Sequence, residues 1–354
     1  MTTPLAAPPN SRAPRLRRAA SLPAAILVLA LCATSGAWAA PAAPASADAA
    51  TTPAEWSRMP WGELGIMPLA TAPYPDDSRT TGFTNRSGQH FPHEGHYDDP
   101  SVAFCVPDGY RRGPKVDLVV ILHGHRSTCA RFVAVSDVGA VLARSGRNAI
   151  VVVPQGPKEA ADSGGGKFEK PGGFSAFLGE AVARLGAEGR VPPDARPGNV
   201  VLCGYSGGGR PVGLILRNGD AADLIRDVWL VDSAYEQHDG LVKPVARPGA
   251  TTALRSIFTA HLTEENIDLM SRITVGGGTV ALINDIVTTE TLASAAAGKP
   301  MATAMLTGYA DILAPALRRH PVLFIRTHLP HDIVGLSVRY LEPFMRESPA
   351  LSAR

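Results

Sequence analysis

The chain has 354 residues, 45% hydrophobic and 19% charged, with a formal net charge of +2. That balance supports a buried core and excludes a wholly disordered polar chain. No basic patch with interleaved aromatic residues occurs, so no nucleic-acid partner is expected.

Arg12, Arg15, Arg17 and Arg18 precede an apolar run from Leu22 to Leu31, and Ala37-Trp38-Ala39 offers a small-x-small cleavage site. This pattern predicts a secretory signal peptide over residues 1–39, its apolar part too short for a good membrane span. Arg17-Arg18 also admits a twin-arginine reading, from which the following Ala19-Ala20 departs. Cys32 follows Leu31 rather than a small residue, which argues against a lipid anchor. Removing this segment takes away four arginines and no acids, changing the net charge from +2 to −2. A secreted or periplasmic protein with no integral membrane segment after signal removal is expected. An oxidising compartment permits a Cys105–Cys129 bridge, leaving Cys203 as a small buried hydrophobe.

Residues 40 to about 55 are rich in Ala, Pro, Ser and Thr and read as a disordered leader. From Trp56 to Pro100 turn formers abound without sustained periodicity, so residues 40–100 read as leader and irregular arm. The arm contains His90, His93, Glu94, His96, Asp98 and Asp99, the densest set of potential metal ligands. It lacks the helix that sets paired histidines on one face, and no metal site is expected there.

Residues 101–354 read as one catalytic domain. Val102–Val106 is a candidate edge strand. Apolar runs of strand length follow at Val116–Leu122, Ala149–Val153, Val200–Leu202, Val228–Val231, Ser256–Ala260 and Val322–Ile325. Such runs suit strands buried on both faces of a parallel sheet. Helical spacing marks Phe132–Leu142, Phe174–Leu185, Pro211–Leu216 and Ile333–Leu341, with Pro343 expected to stop the last helix. The alternation predicts a doubly wound, mostly parallel α/β sheet. The stretch from Leu262 to His320 exceeds one crossover helix and predicts an insertion before the last strand.

The chemistry collects at strand ends, where open parallel sheets place their functional groups. The run ending at Leu122 is followed by His123-Gly124-His125. The next motif is Gly204-Tyr205-Ser206-Gly207-Gly208, a serine on a tight strand-to-helix turn. Asp232 ends the following run, His261 with Glu264 and Glu265 follows the next, and His328 and His331 follow the last. Serine, carboxylate and histidine thus occur in that order.

On these motifs the segment from Val116 to Phe344 resembles α/β-hydrolase-fold serine hydrolases, the His-Gly loop being similar to the oxyanion loop of esterases and polyester depolymerases. The resemblance implies Ser206 as nucleophile, a histidine as base and a carboxylate to orient it. His331 is assigned as the base, with His328 as runner-up. Asp232 is assigned as the acid because it directly ends an apolar strand. Many family members carry the acid after the next strand, which leaves Glu264 or Glu265 open. Gly207 N–H and His125 N–H are the expected oxyanion donors. No cofactor is implied, and the substrate is a small-molecule or polymeric ester or amide. The competing readings are a peptidase or amidase on peptide or cell-wall material, a non-catalytic binding protein of the same fold, and a metallohydrolase using His90–Asp99.

Overall fold

The β-branched apolar runs form the centre of a ten-stranded sheet whose central strands are buried on both faces. The computed structural model describes residues 55–247, 249–336 and 338–354. The expected signal peptide and most of the leader lie outside them. The strands are β1 (Glu55–Met59), β2 (Gly62–Pro68), β3 (Phe83–Thr84), β4 (His90–Phe91), β5 (Ser101–Pro107), β6 (Lys115–Leu122), β7 (Ile150–Pro154), β8 (Arg196–Tyr205), β9 (Ile225–Val231), β10 (Ala253–Phe258), β11 (Ala281–Asn284) and β12 (Val322–Arg326). The main sheet runs β1-β2-β5-β7-β6-β8-β9-β10-β12-β11, and β3-β4 form a small separate hairpin. From β7 to β11 every pairing is parallel, whereas β1, β2 and β5 join in antiparallel fashion.

The helices are α1 (Cys129–Ser136), α2 (Val138–Ser145), α3 (Gly173–Ala187), α4 (Gly209–Asn218), α5 (His238–Val242), α6 (Thr263–Val275), α7 (Thr289–Ala296), α8 (Pro300–Thr307), α9 (Tyr309–Arg319), α10 (His331–Leu336) and α11 (Val338–Arg346). They cover both faces of the sheet. On β6, Leu118 and Val120 join a core with Phe174 and Phe177 of α3 and Ile215 of α4. The alternate residues Val119 and Ile121 pack with Val141 and Leu142 of α2 and Phe344 of α11. The fold is therefore a doubly wound, mostly parallel sheet of α/β-hydrolase type.

Several local expectations are corrected. The arm is not irregular from its start: β1 and β2 form a hairpin that extends the sheet, and Val102–Val106 becomes an interior strand between β2 and β7. Gly62, Gly65 and Pro68 interrupt the alternation that would have marked β2, and pairing with β5 supplies the missing stabilisation. The helix expected over Phe132–Leu142 breaks at Asp137, whose φ of 49° is left-handed. Pro343 does not stop the last helix. It lies inside α11, where burial of Tyr340, Leu341, Phe344 and Met345 outweighs one lost backbone bond. The insertion before the last strand contributes α6 to α9 and the edge strand β11. Cys105, Cys129 and Cys203 are all free and buried, so the Cys105–Cys129 bridge is not formed.

The arm histidines are held separately. His90 Nδ1 meets Thr84 Oγ1, His93 Nδ1 meets the Arg79 carbonyl and His96 Nδ1 meets the Lys158 carbonyl. No helix among the described residues is long and apolar enough to cross a membrane.

Candidate active site

β8 delivers Tyr205 to a sharp turn, Ser206–Gly208, from which α4 departs. Ser206 takes φ 51°, a left-handed conformation costly for a residue with a side chain. The surrounding glycines make the turn possible. A Cβ on Gly208 would stand 2.1 Å from the Leu122 carbonyl oxygen, and one on Gly204 2.8 Å from the Gly208 oxygen. Strand, helix and the preceding loop therefore meet backbone to backbone, and the serine hydroxyl projects from the crest.

The loops after β9 and β12 bring the two other groups to it. His331 Nε2 lies 2.9 Å from Ser206 Oγ, and His331 Nδ1 lies 2.7 Å from Asp232 Oδ2. The fully buried Asp232 also accepts from Thr259 N–H at 2.8 Å and Thr259 Oγ1 at 3.0 Å. A carboxylate only accepts, so it fixes the proton of a neutral His331 on Nδ1 and leaves the Nε2 lone pair facing Ser206. Tyr205 stacks on the His331 ring with centroids 5.5 Å apart, and His261 meets it edge-on at 5.3 Å.

The alternatives separate by geometry. His328 is exposed in the loop after β12, and the contact to Ser206 is made by His331. Glu264 and Glu265 lie in the first turn of α6, and the carboxylate that accepts from His331 Nδ1 is that of Asp232. Arg210, in the first turn of α4 behind the serine, pairs with Glu169 and with Glu236.

The His123-Gly124-His125 loop crosses the elbow. A Cβ on Gly124 would stand 2.8 Å from Ser206 Cβ, and one on Gly207 2.6 Å from His125 Cδ2. Gly207, His125 and Ser206 thus share one corner. His123 is buried beneath it: Nε2 accepts from Gly156 N–H at 3.0 Å, and Nδ1 lies 2.8 Å from the Gly124 carbonyl. Burial lowers the His123 pKa, which keeps the ring neutral and pins the loop to the end of β7. Burial likewise lowers the pKa of His125, whose Nε2 meets Ser163 Oγ at 2.8 Å. Beside Gly207 lies a small recess lined in part by Leu122, Ser163, Phe168 and Pro211.

Sequence reasoning did not anticipate Thr259, Tyr235, Ser163 or Asp285. Thr259 Oγ1 lies 2.6 Å from His261 Nδ1, and the Tyr235 hydroxyl lies 3.0 Å from His261 Nε2. Burial and the Asp232 charge push the Tyr235 pKa up to about 12. Asp285, just beyond β11, accepts from Thr327 Oγ1 at 2.9 Å and from the Tyr340 hydroxyl. Thr327 opens the loop that carries His331, so the insertion braces that loop. A polar residue just past each strand was the available signal for Thr259 and Asp285, but hydroxyls and acids are common in such turns.

No family model matches the chain, and no curated protein matches it. Solved structures with similar chain paths include a ferulic acid esterase, with 14% identity, covering 70% of this chain and 91% of its own, at a TM-score of 0.43. Another is the serine hydrolase FphF of Staphylococcus aureus, with 10% identity, coverages of 83% and 99%, and a TM-score of 0.41. A third is the feruloyl esterase module from Clostridium thermocellum, with 11% identity, coverages of 86% and 99%, and a TM-score of 0.39. At these scores the fold assignment rests on the strand order and the elbow.

Proposed function

We propose that the protein is a secreted serine hydrolase that cleaves a carboxylic ester through an acyl-enzyme on Ser206. The observation that carries the proposal is the continuous chain from Asp232 through His331 to Ser206, with the serine held at positive φ on a glycine-flanked turn. His331 Nε2 takes the Ser206 proton as Oγ attacks the carbonyl carbon, and Asp232 stabilises the imidazolium that results. The oxygen of the tetrahedral intermediate is held by Gly207 N–H and His125 N–H, the former at the start of a helix. His331 then gives the proton to the leaving alkoxide, and water repeats the sequence to release the acid and restore the serine.

Esters are preferred over amides because the His-Gly loop resembles that of esterases. Export is part of the proposal and is supported by the basic and apolar pattern of residues 12–31. A fluorophosphonate probe is expected to label wild-type protein at Ser206 and to leave Ser206→Ala unlabelled. On a panel of acyl esters, polyesters and peptides, Ser206→Ala should lose turnover by on the order of 10⁴- to 10⁶-fold. Labelling absent from folded wild-type protein would refute the reading, and cleavage confined to peptides would turn it to a peptidase.

A further inference from the structure

A second histidine stands on the carboxylate that orients the base. His261 Nδ1 lies 3.8 Å from Asp232 Oδ2, and His331 Nδ1 lies 2.7 Å from the same oxygen. One ligating atom from each of the three residues falls within 4.8 Å of the others. Two imidazoles and a carboxylate form the donor set of open zinc sites. At metal–ligand distances of about 2.0–2.2 Å, tetrahedral ligand atoms stand roughly 3.4 Å apart. The three atoms are therefore near enough to close on one ion by side-chain rotation alone.

Two further features suit a metal. The far nitrogen of each ring already has an oxygen partner, Tyr235 for His261 at 3.0 Å and Ser206 for His331 at 2.9 Å, as in the outer shells that orient metal-bound imidazoles. The rings are also reachable, with the His261 side chain 46% and the His331 side chain 28% exposed.

We propose that Asp232, His261 and His331 form a reversible inhibitory site for zinc or a similar late divalent transition-metal ion. This rests on the hydrolase reading above, because the group the ion disables is the base. At rest the His331 proton sits on Nδ1 and the lone pair faces Ser206. An ion bound at Nδ1 requires a lone pair there, so the neutral ring carries its proton on Nε2 instead. The proton has moved within the residue by exchange with water, and none is lost overall. Nε2–H then donates to Ser206 Oγ and has no lone pair left to accept the serine proton. Inhibition follows from a tautomer change, with no movement of the fold. His261 makes the same exchange: its Nδ1 leaves Thr259 for the ion, and Nε2–H turns to the Tyr235 oxygen. Magnesium and calcium, which take oxygen ligands in larger number, are poorly served by this set.

The test uses the purified full chain. Zinc is expected to suppress ester turnover, EDTA to restore it, and magnesium at the same concentration to have no effect. His261→Gln keeps a polar side chain toward Thr259 and Tyr235 but no imidazole. The zinc concentration for half-inhibition of that variant, measured against its own activity, should rise on the order of tenfold or more, and likewise in His261→Asn. Calorimetric zinc binding to Ser206→Ala, compared with the same protein carrying His261→Gln, reads the site without turnover. Equal inhibition of wild type and both His261 variants, or no zinc binding by Ser206→Ala, overturns the proposal. His261-dependent zinc binding by a wild-type protein that hydrolyses no ester would instead remove the hydrolase reading and leave a metal site.

Discussion

At the scale of single residues, the site turns on which nitrogen of each histidine carries a proton. Asp232→Asn keeps the shape of the acid but can present an amide donor to His331 Nδ1, favouring the tautomer that cannot accept from Ser206. Steady-state kinetics should show a loss on the order of 10⁴-fold, whereas Glu264→Gln and Glu265→Gln should stay near wild type. A comparable loss in either glutamate variant would reassign the acid. His123 ties stability to pH. Burial lowers its pKa, so the unfolded chain binds this proton near pH 6.5 while the folded chain does not. Stability is therefore unaffected above about pH 6.5 and falls as pH drops from that value toward the lower pKa of the folded state, where the loss is complete. Thermal melts should show a falling Tm on acidification and a shallower slope for His123→Gln. The meeting of Ser206, Asp232 and His331 was legible because each stands beside a strand end in the order the resemblance implies. Thr259 and Tyr235 were not, because their meeting with His261 depends on how neighbouring loops fold over one another.

At the scale of elements, one polar cluster holds the His331 loop and another holds the C-terminal helix to the sheet. Asp285 braces the His331 loop through Thr327, and Tyr309 reaches the same carboxylate with a hydrogen bond of 2.9 Å. Asp285→Ala should let His331 drift from Ser206 and lower kcat by on the order of a hundredfold, with KM far less affected. A variant with wild-type kcat would show that the insertion does not position the base. The second cluster is Arg255 of β10 with Asp227 of β9, joined at 2.6 Å with both side chains almost wholly buried. Arg255 also donates to the carbonyls of Phe344 and Glu347, which fastens α11 to the sheet. Burial raises the Asp227 pKa and lowers that of Arg255. Arg255→Met leaves a carboxylate buried without its partner and should cost about 3–5 kcal/mol in urea unfolding. The central strands were legible as apolar runs. The β1–β2 hairpin and β11 were not, because short strands interrupted by glycine or bounded by loops draw their stability from the neighbour they pair with.

At the scale of the whole molecule, stability comes from two apolar layers and no covalent cross-link among the described cysteines. Burial pushes the Cys129 thiol up to about 12, and the thiols of Cys105 and Cys203 are raised further. All three should resist thiol reagents until the protein is unfolded, and a reducing agent should leave Tm unchanged. A Tm that drops with reductant would place a disulfide in the fold after all.

The position of β12 has a consequence for how the molecule is made. This strand is synthesised after every other strand of the sheet, yet it lies between β10 and β11 rather than at an edge. Its pairings join residues far apart in sequence, which raises contact order and slows assembly. A growing chain that has emerged as far as β11 already contains Ser206 and Asp232, but the slot beside β10 is still empty and His331 has not been made. Under the proposed mechanism, partly synthesised chains lack the base, and hydrolysis becomes possible only when the C-terminal segment docks.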